Sequence, residues 1–509
     1  MKINAMALIG TGVMGMGIAQ IAAQSGVSVR LYDSKQGAAE LGLARLTATL
    51  QTLQTKGKIT VDELESTLAH FEIVDSIEKI AGVDVVIEAI IENLEIKQAL
   101  FQQLENIVAT DTILATNTSS LSVTAIASAL KYPERVAGFH FFNPVPLMKI
   151  VEVIQGLVTS ASVMESLIEF AQHMGHRAVR TKDTPGFIVN HAGRAYGTEA
   201  LKALGEVVAS VSSIDRILRD GAGFRMGPFE LFDLTALDVS HPVMESIFNQ
   251  YYQEDRYRPH PLTRQMLSAK KVGRKVGEGF YRYIDGVKSN EQALQHVPQI
   301  NTFQSVWIGA DREDDAQQLF NYLQDQQIEI DTASEPHQNS LIILATYGED
   351  TTTASLRWKV DPKRTVNIDL ITDFNQHRTL MPSIVTDLAY IQQAHAIFAK
   401  DGQTVSVIEE SIGFIAQRVL AMVVNLACDL AQQGIATAND IDQAVKLGLG
   451  YPHGPISWGD LLGADRILLI LQRIYALTGD QRYRPSPWLQ RRAKLGVSLL
   501  EASKFELSK

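Results

Sequence analysis

Cysteine is nearly absent from this 509-residue sequence: Cys428 is the single one, so no disulfide can form within the chain. Chains without disulfides are typical of reducing compartments, and we expect a cytoplasmic protein. The 12 histidines are scattered and lack the spacing of metal ligands. We therefore predict no metal site.

Positive charge and long apolar runs are also in short supply. The 46 Lys and Arg residues are outnumbered by 57 Asp and Glu residues, which gives a net charge of −11. That balance argues against general binding to nucleic acid or to an anionic membrane, although it permits a local basic pocket for a phosphate. No stretch of about 18 apolar residues occurs, so no transmembrane helix is expected. The glycine-interrupted start MKINAMALIGTG lacks the features of a signal peptide.

Short apolar segments alternate with polar, helix-period segments through the first 182 residues. This alternation predicts a doubly wound, Rossmann-like α/β domain with a parallel sheet. The predicted strands are AMALIG, VSVRLYD, HFEIV, VDVVIEAII, TILAT, RVAGF, KIVEVI and RAVRT.

The pattern changes after residue 182, and we predict three further domains. Residues 183–286 are mainly helical, as in AGRAYGTEALKALGEVVAS with its apolar face at helical period. Residues 287–400 predict a small α/β unit without a phosphate-binding loop. Residues 401–509 are helical again.

An internal repeat links the two helical regions. The segment Gly186-Phe187-Ile188 recurs as Gly413-Phe414-Ile415, an offset of 227 (413 − 186). Ile214-Asp215 and Ile441-Asp442 share that offset, as do Gly227-Pro228 and Gly454-Pro455. We predict a duplicated helical domain. The small α/β unit reads as a degenerate copy of the first domain, in which Asp369 stands at the repeat position of His140.

A glycine-rich loop follows the first strand. Gly10, Gly12 and Gly15 form G-x-G-x-x-G between that strand and a helix, the context that a dinucleotide site requires. The glycines would allow a tight turn, the approach of a pyrophosphate and close packing of helix on strand. Asp33 ends the next strand, where a carboxylate binds ribose hydroxyls and repels the extra phosphate of NADP. The loop therefore predicts NAD, although a structural tight turn remains an alternative.

Polar residues follow three of the predicted strands, at the sheet edge where ligands bind. They are Glu92 with Asn93, Asn117 to Ser119, and His140 in VAGFHFFNPVP. The Asn-Thr-Ser-Ser run also suits capping of the following helix, and a lone histidine among phenylalanines also suits a core position.

Glu152 lies twelve residues after His140, inside the apolar strand KIVEVI. A carboxylate among Ile and Val is costly unless it is paired, and a histidine is a natural partner. Glu152 would fix the tautomer of His140 and stabilise the imidazolium. The pair predicts a proton-transfer dyad, with a structural buried ion pair as the alternative.

Five segments together resemble the L-3-hydroxyacyl-CoA dehydrogenase family: GTGVMGMGIAQ, IEAIIENLEIK, TNTSSL, GFHFFNPVPLMKIVEVI and DTPGFIVN. The match covers about residues 1–285, and the duplicated helical domain extends it. The two-copy length resembles the long members that act on 3-hydroxyadipyl-CoA in phenylacetate catabolism. The expected reaction is reversible NAD-dependent oxidation of (3S)-3-hydroxyacyl-CoA, with 3-hydroxyadipyl-CoA or 3-hydroxybutyryl-CoA as substrate.

The resemblance implies a role for each matching residue. His140 would be the catalytic base with Glu152 as its partner, and Ser119 and Asn190 would hold the substrate oxygen. Glu92 and Lys97 match cofactor-contacting positions, and Lys56 matches a contact to CoA. The second half lacks the glycine loop, the serine and the histidine, so we expect one active site per chain. The partners implied are an acyl-CoA, neither nucleic acid nor membrane, and a homodimer as an open option.

Two other functions remain open at this point. The chain could be a dehydrogenase of a free 3-hydroxy acid or sugar acid on the same scaffold. It could also be a non-catalytic NAD-binding protein, although the joint presence of Ser119, His140, Glu152 and Asn190 argues against that.

Overall fold

The computed structural model describes residues 2–300 and 303–502. Strands and helices alternate through the first 191 residues, as predicted. The strands are β1 Ala5–Ile9, β2 Ser28–Tyr32, β3 Phe71–Ile73, β4 Val85–Glu88, β5 Ile113–Thr116, β6 Val136–Phe141, β7 Ile150–Gln155 and β8 Arg177–Lys182. The helices are α1 Val13–Gln24, α2 Ala38–Thr55, α3 Val61–Ala69, α4 Leu94–Glu105, α5 Val123–Ala127, α6 Ala161–His173 and α7 Val189–Ala192.

All eight predicted strands join one sheet, in the order β3-β2-β1-β4-β5-β6-β7-β8. Neighbouring strands are parallel except β6 and β7, which are antiparallel. The reason lies in residues 142–149, because a connection this short cannot carry the chain back for a parallel pairing. The predicted doubly wound fold is confirmed, with one antiparallel step that the short connection dictates.

The sheet is covered on both faces, because successive side chains of a strand point in opposite directions. In β1, Met6 and Leu8 pack into one apolar cluster, and Ala7 and Ile9 pack into another. Both clusters are built from buried aliphatic and aromatic side chains of the flanking helices. Only the ends of the strands are therefore open to a ligand.

The helical region that follows contains α8 Arg194–Gly205, α9 Val211–Arg216, α10 Pro228–Thr235, α11 Leu237–Gln250 and α12 Pro261–Ser268. A two-stranded antiparallel pair, β9 Tyr283–Ile284 and β10 Val287–Lys288, ends it.

A second, six-stranded sheet occupies the small α/β unit, in the order β12-β11-β13-β14-β15-β16. Its strands are β11 Val306–Ala310, β12 Ile330–Asp331, β13 Leu341–Ala345, β14 Thr365–Ile368, β15 His377–Pro382 and β16 Thr404–Val407, and its helices are α13 Glu313–Asp325, α14 Thr351–Trp358 and α15 Leu388–Phe398. The pair β14–β15 is antiparallel and the pair β15–β16 is parallel, as for β6–β7 and β7–β8. Sequence reading missed β15 and β16, and β16 lies beyond the domain boundary predicted at residue 400.

The last region contains α16 Ile415–Gln432, α17 Ala438–Leu449, α18 Pro455–Leu462, α19 Ala464–Thr478 and α20 Pro487–Leu495. By length and composition, α16 could cross a membrane, whereas the sequence predicted no such segment. Because 89% of its apolar window is buried in the fold, α16 has the burial of a core helix.

The chain forms two compact units: residues 1–191 with 433–449, and residues 192–432 with 450–509. The first unit holds the eight-stranded sheet, with α17 packed against β7 and β8. The four predicted domain boundaries stay a prediction beside this division.

Within the second unit, the two helical copies meet through equivalent surfaces, and α8 packs against α16. The Arg256 side chain donates a hydrogen bond to the Arg484 carbonyl at 2.8 Å. The Arg482 side chain donates to the Arg258 carbonyl at 2.9 Å. Each arginine in one bond stands 226 positions from its counterpart in the other, so the contacts are reciprocal, as in an isologous dimer.

Candidate active site

His140 and Glu152 lie side by side on the antiparallel strands β6 and β7. The register pairs them directly, so their side chains project from the same face of the sheet. The distance from His140 Nδ1 to Glu152 Oε2 is 2.6 Å. Glu152 is fully buried and His140 is nearly so. The structure thus brings together the dyad that the sequence predicted.

The other carboxylate oxygen of Glu152 anchors the chain that leads into α7. The backbone N–H groups of Ile188 and Val189 each donate to Glu152 Oε1 at 2.9 Å. Asn190 is the next residue, in the same unit as the dyad. One buried carboxylate therefore positions both the predicted base and the segment that carries Asn190.

The imidazole of His140 is flanked by aromatic rings. Its centroid lies 4.5 Å from that of Phe142 and 5.9 Å from that of Phe187. Because an ionised Glu152 can only accept hydrogen bonds, we assign the proton of the neutral ring to Nδ1. Nε2 then carries the lone pair, which is the state that a general base requires.

Glu92 holds the loop that contains Ser119. Its Oε1 accepts hydrogen bonds from Thr118 Oγ1 at 2.6 Å, from Ser119 N–H at 2.9 Å and from Ser120 N–H at 3.1 Å. Burial acts to raise the pKa of Glu92, but the Thr118 hydrogen bond and the Lys97 charge hold it below its usual value. The capping alternative for the Asn-Thr-Ser-Ser run does not hold, because Ser122 is the N-cap of α5.

Lys97 lies among carboxylates. It is 1% exposed, and its Nζ lies 2.6 Å from Glu88 Oε1 and 3.3 Å from Glu92 Oε2. This burial places Lys97 where it acts on Glu92, and through Glu92 on Ser119.

Sequence reading missed two residues that support the site. Glu88 is fully buried at the end of β4 and accepts hydrogen bonds from Lys97 Nζ and from Thr116 Oγ1 at 2.7 Å. Asn117 Oδ1 accepts from the Phe141 N–H at 2.8 Å, which ties the end of β5 to β6 beside His140. The signal for Glu88 was available, since a carboxylate in VVIE needs a partner for the same reason as Glu152.

The glycine loop fits a dinucleotide. A Cβ on Gly15 would lie 1.9 Å from the Gly10 carbonyl oxygen, so close helix packing excludes any side chain there. A Cβ on Gly10 would lie 2.7 Å from the Ala89 oxygen, and Gly10 has φ +96°. At Gly12, the N-cap of α1, a Cβ would meet nothing within 4 Å and no side chain caps the helix. Open space in front of free backbone N–H groups is what a pyrophosphate needs.

Asp33 lies directly beside this loop. Its Oδ2 accepts hydrogen bonds from Thr11 N–H and Thr11 Oγ1, both at 2.8 Å, and its Oδ1 accepts from the Lys35 N–H at 3.0 Å. Burial acts to raise the pKa of Asp33, but these hydrogen bonds hold it below its usual value. The ionised carboxylate keeps acceptor capacity for ribose and opposes a phosphate, which matches NAD.

Lys56 is the exposed residue that follows α2. It lies eleven residues, about 16 Å, beyond Arg45 along one helix face. The structure thus places Lys56 away from the dyad, where only an extended ligand could reach both.

The second sheet has no equivalent of this site within the residues that the structure describes. The first turn of α13, where a phosphate would approach, carries Glu313, Asp314 and Asp315. Asp369 stands at the repeat position of His140 and is 1% exposed. Gln417, at the repeat position of Asn190, donates to Asp369 Oδ1 at 3.0 Å. Internal side chains thus fill the copied position.

A glycine loop beside an acidic strand end, together with a histidine–carboxylate dyad at the same sheet, defines a nucleotide-dependent dehydrogenase. Family models identify which one. The model of the 3-hydroxyacyl-CoA dehydrogenase NAD binding domain matches residues 5–184, and the model of the C-terminal domain matches residues 186–283 and again 413–503. The chain belongs to the 3-hydroxyacyl-CoA dehydrogenase family, whose members are NAD-dependent oxidoreductases. The double match confirms the duplicated helical domain, with the predicted offset of 227 (413 − 186).

Relatives match either the whole chain or about half of it. The 3-hydroxyadipyl-CoA dehydrogenase of Escherichia coli K12 is 38% identical over 97% of this chain and 98% of that protein. The mitochondrial hydroxyacyl-coenzyme A dehydrogenase of Rattus norvegicus is 41% identical over 55% of this chain and 91% of its own. A crystal structure of a 3-hydroxybutyryl-CoA dehydrogenase from Escherichia coli K12 has a TM-score of 0.87 and 37% identity, covering 97% of this chain and 99% of that one.

Proposed function

We propose that this chain oxidises the 3-hydroxyl group of a (3S)-3-hydroxyacyl-CoA, with His140 as general base and Glu152 as its partner. The observation that carries the proposal is the buried 2.6 Å pair of His140 Nδ1 and Glu152 Oε2, at the sheet whose glycine loop fits NAD. The dyad, the loop that contains Ser119 and the glycine loop all belong to one compact unit.

The dyad performs the proton transfer. His140 Nε2 takes the proton of the 3-hydroxyl, and the negative charge of Glu152 stabilises the imidazolium that results. Bound NAD supplies the acceptor for the hydride from C3. General-base assistance of this kind contributes about 10²–10⁴ in rate. The rings of Phe142 and Phe187 shield the imidazole from water.

Ser119 and Asn190 would donate hydrogen bonds to the substrate oxygen as charge develops on it. Ser119 Oγ makes only a 3.4 Å contact with Glu92 Oε1, so its hydroxyl can turn to a ligand. The second copy supports the role of Asn190. There the amide of Gln417 reaches Asp369, at the repeat position of His140, which suggests a similar reach from Asn190 toward His140.

The cofactor would be held by the glycine loop and the neighbouring strand ends. Gly10, Gly12 and Gly15 shape the phosphate site, and Asp33 accepts from the adenosine ribose. Glu92 would contact the other ribose, with Lys97 acting through it.

The substrate that we favour is 3-hydroxyadipyl-CoA, with Lys56 as a contact to CoA. Support comes from the relative named for that substrate, which matches both halves of the chain, whereas a Bacillus subtilis relative named a probable 3-hydroxybutyryl-CoA dehydrogenase covers 56% of it. A cytoplasmic location is proposed from the single, buried Cys428. A homodimer stays an open option, to be checked by light scattering.

The test is a substrate panel with purified enzyme. NADH formation would be followed with 3-hydroxyadipyl-CoA, 3-hydroxybutyryl-CoA and free 3-hydroxybutyrate, each with NAD and with NADP. We expect activity on the thioesters with NAD. The His140→Gln enzyme should keep its NADH affinity and lose at least about 10²-fold in kcat.

The panel also separates the alternatives. Preference for the free acid, unaffected by Lys56→Glu, would favour a dehydrogenase of free 3-hydroxy acids. NADH binding without turnover of any substrate would favour a non-catalytic protein. Turnover of His140→Gln within a fewfold of wild type would remove His140 from its role.

A further inference from the structure

A largely apolar cavity of about 560 Å³ opens beside the glycine loop in the first unit. Its volume is in the range of small-molecule sites. One wall is the loop that follows β6, which starts three residues after His140. The other walls come from the glycine loop, α1 and α2; the lining includes Gly12, Met16, Leu46, Asn143, Val145 and Leu53.

Arg45 carries the one charge among the described residues that line this cavity. Its α2 neighbours Gly42 and Leu46 are buried, whereas Arg45 is exposed at the solvent side. Its guanidinium has no ion-pair or hydrogen-bond partner in the described part of the chain, residues 2–300 and 303–502. The chain has an excess of acidic residues, and most arginines named in its ion pairs find one, so this vacancy is a distinctive feature.

We infer that Arg45 binds the terminal carboxylate of a dicarboxylic acyl chain and so sets the preference for such substrates. Apolar walls with one cation at the end suit an aliphatic chain that ends in an acid. A planar guanidinium binds a carboxylate through two parallel hydrogen bonds. The inference rests on the proposed function, because it places the acyl group of the thioester in this cavity.

The position of Arg45 favours the acyl end of the substrate over its nucleotide end. The cavity borders the loop that leaves the His140 strand, so a chain held at the dyad enters it directly. Lys56, proposed to contact CoA, is absent from the lining and lies about 16 Å further along α2. Two cations on one helix face thus address opposite ends of an extended ligand.

The test compares two six-carbon substrates, 3-hydroxyadipyl-CoA and 3-hydroxyhexanoyl-CoA, which differ only in a terminal carboxylate or methyl group. For Arg45→Gln we expect KM for the adipyl substrate to rise about tenfold to a hundredfold. Its kcat, and both parameters for the hexanoyl substrate, should stay within a fewfold. Arg45→Lys should recover part of the adipyl KM.

Two matched variants complete the design. Arg180→Gln removes a surface cation that pairs with Glu165 and should leave both substrates unaffected. Lys56→Gln should weaken both substrates equally, because both carry CoA. Unchanged adipyl kinetics in Arg45→Gln would overturn the inference, and so would an equal loss on both substrates. If wild type oxidises neither thioester, the proposed function fails instead.

Discussion

Replacing Glu152 with glutamine should disable the base without disturbing the fold. Glu152 Oε1 accepts two backbone N–H groups, from Ile188 and Val189, so the glutamine carbonyl must occupy that place. The amide NH₂ then faces His140 Nδ1 and donates to it. This forces the proton of the neutral imidazole onto Nε2, the nitrogen that must accept the substrate proton.

The magnitude follows from the inverted tautomer. In the serine-protease triad, the comparable Asp-to-Asn change lowers kcat by about 10⁴ for the same reason. The opposite amide orientation offers no escape, because it would set NH₂ against two buried N–H donors at about 1–3 kcal/mol for each unmet bond. We therefore expect Glu152→Gln to lower kcat by about 10³–10⁴, or about 4–5 kcal/mol in the barrier.

The assay is NADH formation, with NADH binding followed by fluorescence and folding by thermal melting. Glu165→Gln on α6 is the matched control, because Glu165 is an exposed carboxylate that pairs with Arg180. It should behave as wild type. A Glu152→Gln enzyme that folds, binds NADH and keeps kcat within about tenfold of wild type would refute the tautomer reasoning.

Two other predictions address the glycine loop and the second copy. Gly12→Ala should keep the melting temperature but weaken NADH binding at least about tenfold, because its methyl group enters open space before the N-terminus of α1; Gly15→Ala should instead lower the melting temperature, since its Cβ would lie 1.9 Å from the Gly10 oxygen, and the opposite pattern would contradict the assignment. Burial raises the pKa of Asp369 to about 6. The unfolded state, with a pKa near 3.9, releases this proton first, so the free energy of unfolding falls as pH rises from about 4 to 6, by about 3 kcal/mol. Asp369→Asn should abolish that loss, so the variant gains thermal stability over wild type at pH 7.5 relative to pH 5 without a change in kcat; an equal melting-temperature difference at both pH values would contradict it.

Much of the site could be read from local sequence. The glycine spacing after β1, the acidic residue at the end of β2 and the carboxylate within KIVEVI each express a steric or electrostatic requirement of their own neighbourhood. The pairing of His140 with Glu152 could be expected for the same reason, because each buried polar group needed a partner. The repeat offset of 227 likewise needs only the order of residues to be visible.

Other features depended on where the chain folds back. The sequence around Lys97 suggests a surface lysine, and only the convergence of β4, α4 and the loop after β5 encloses it between Glu88 and Glu92. Strands β15 and β16 carry Arg378, Thr404 and Ser406 in buried positions, so their polar composition concealed them. The vacancy at Arg45 appears only once α2 lies against the glycine loop and the loop after β6. Local patterns determine what each segment requires, whereas long-range packing decides which side chains meet, because burial and pairing energies depend on neighbours that are distant in sequence.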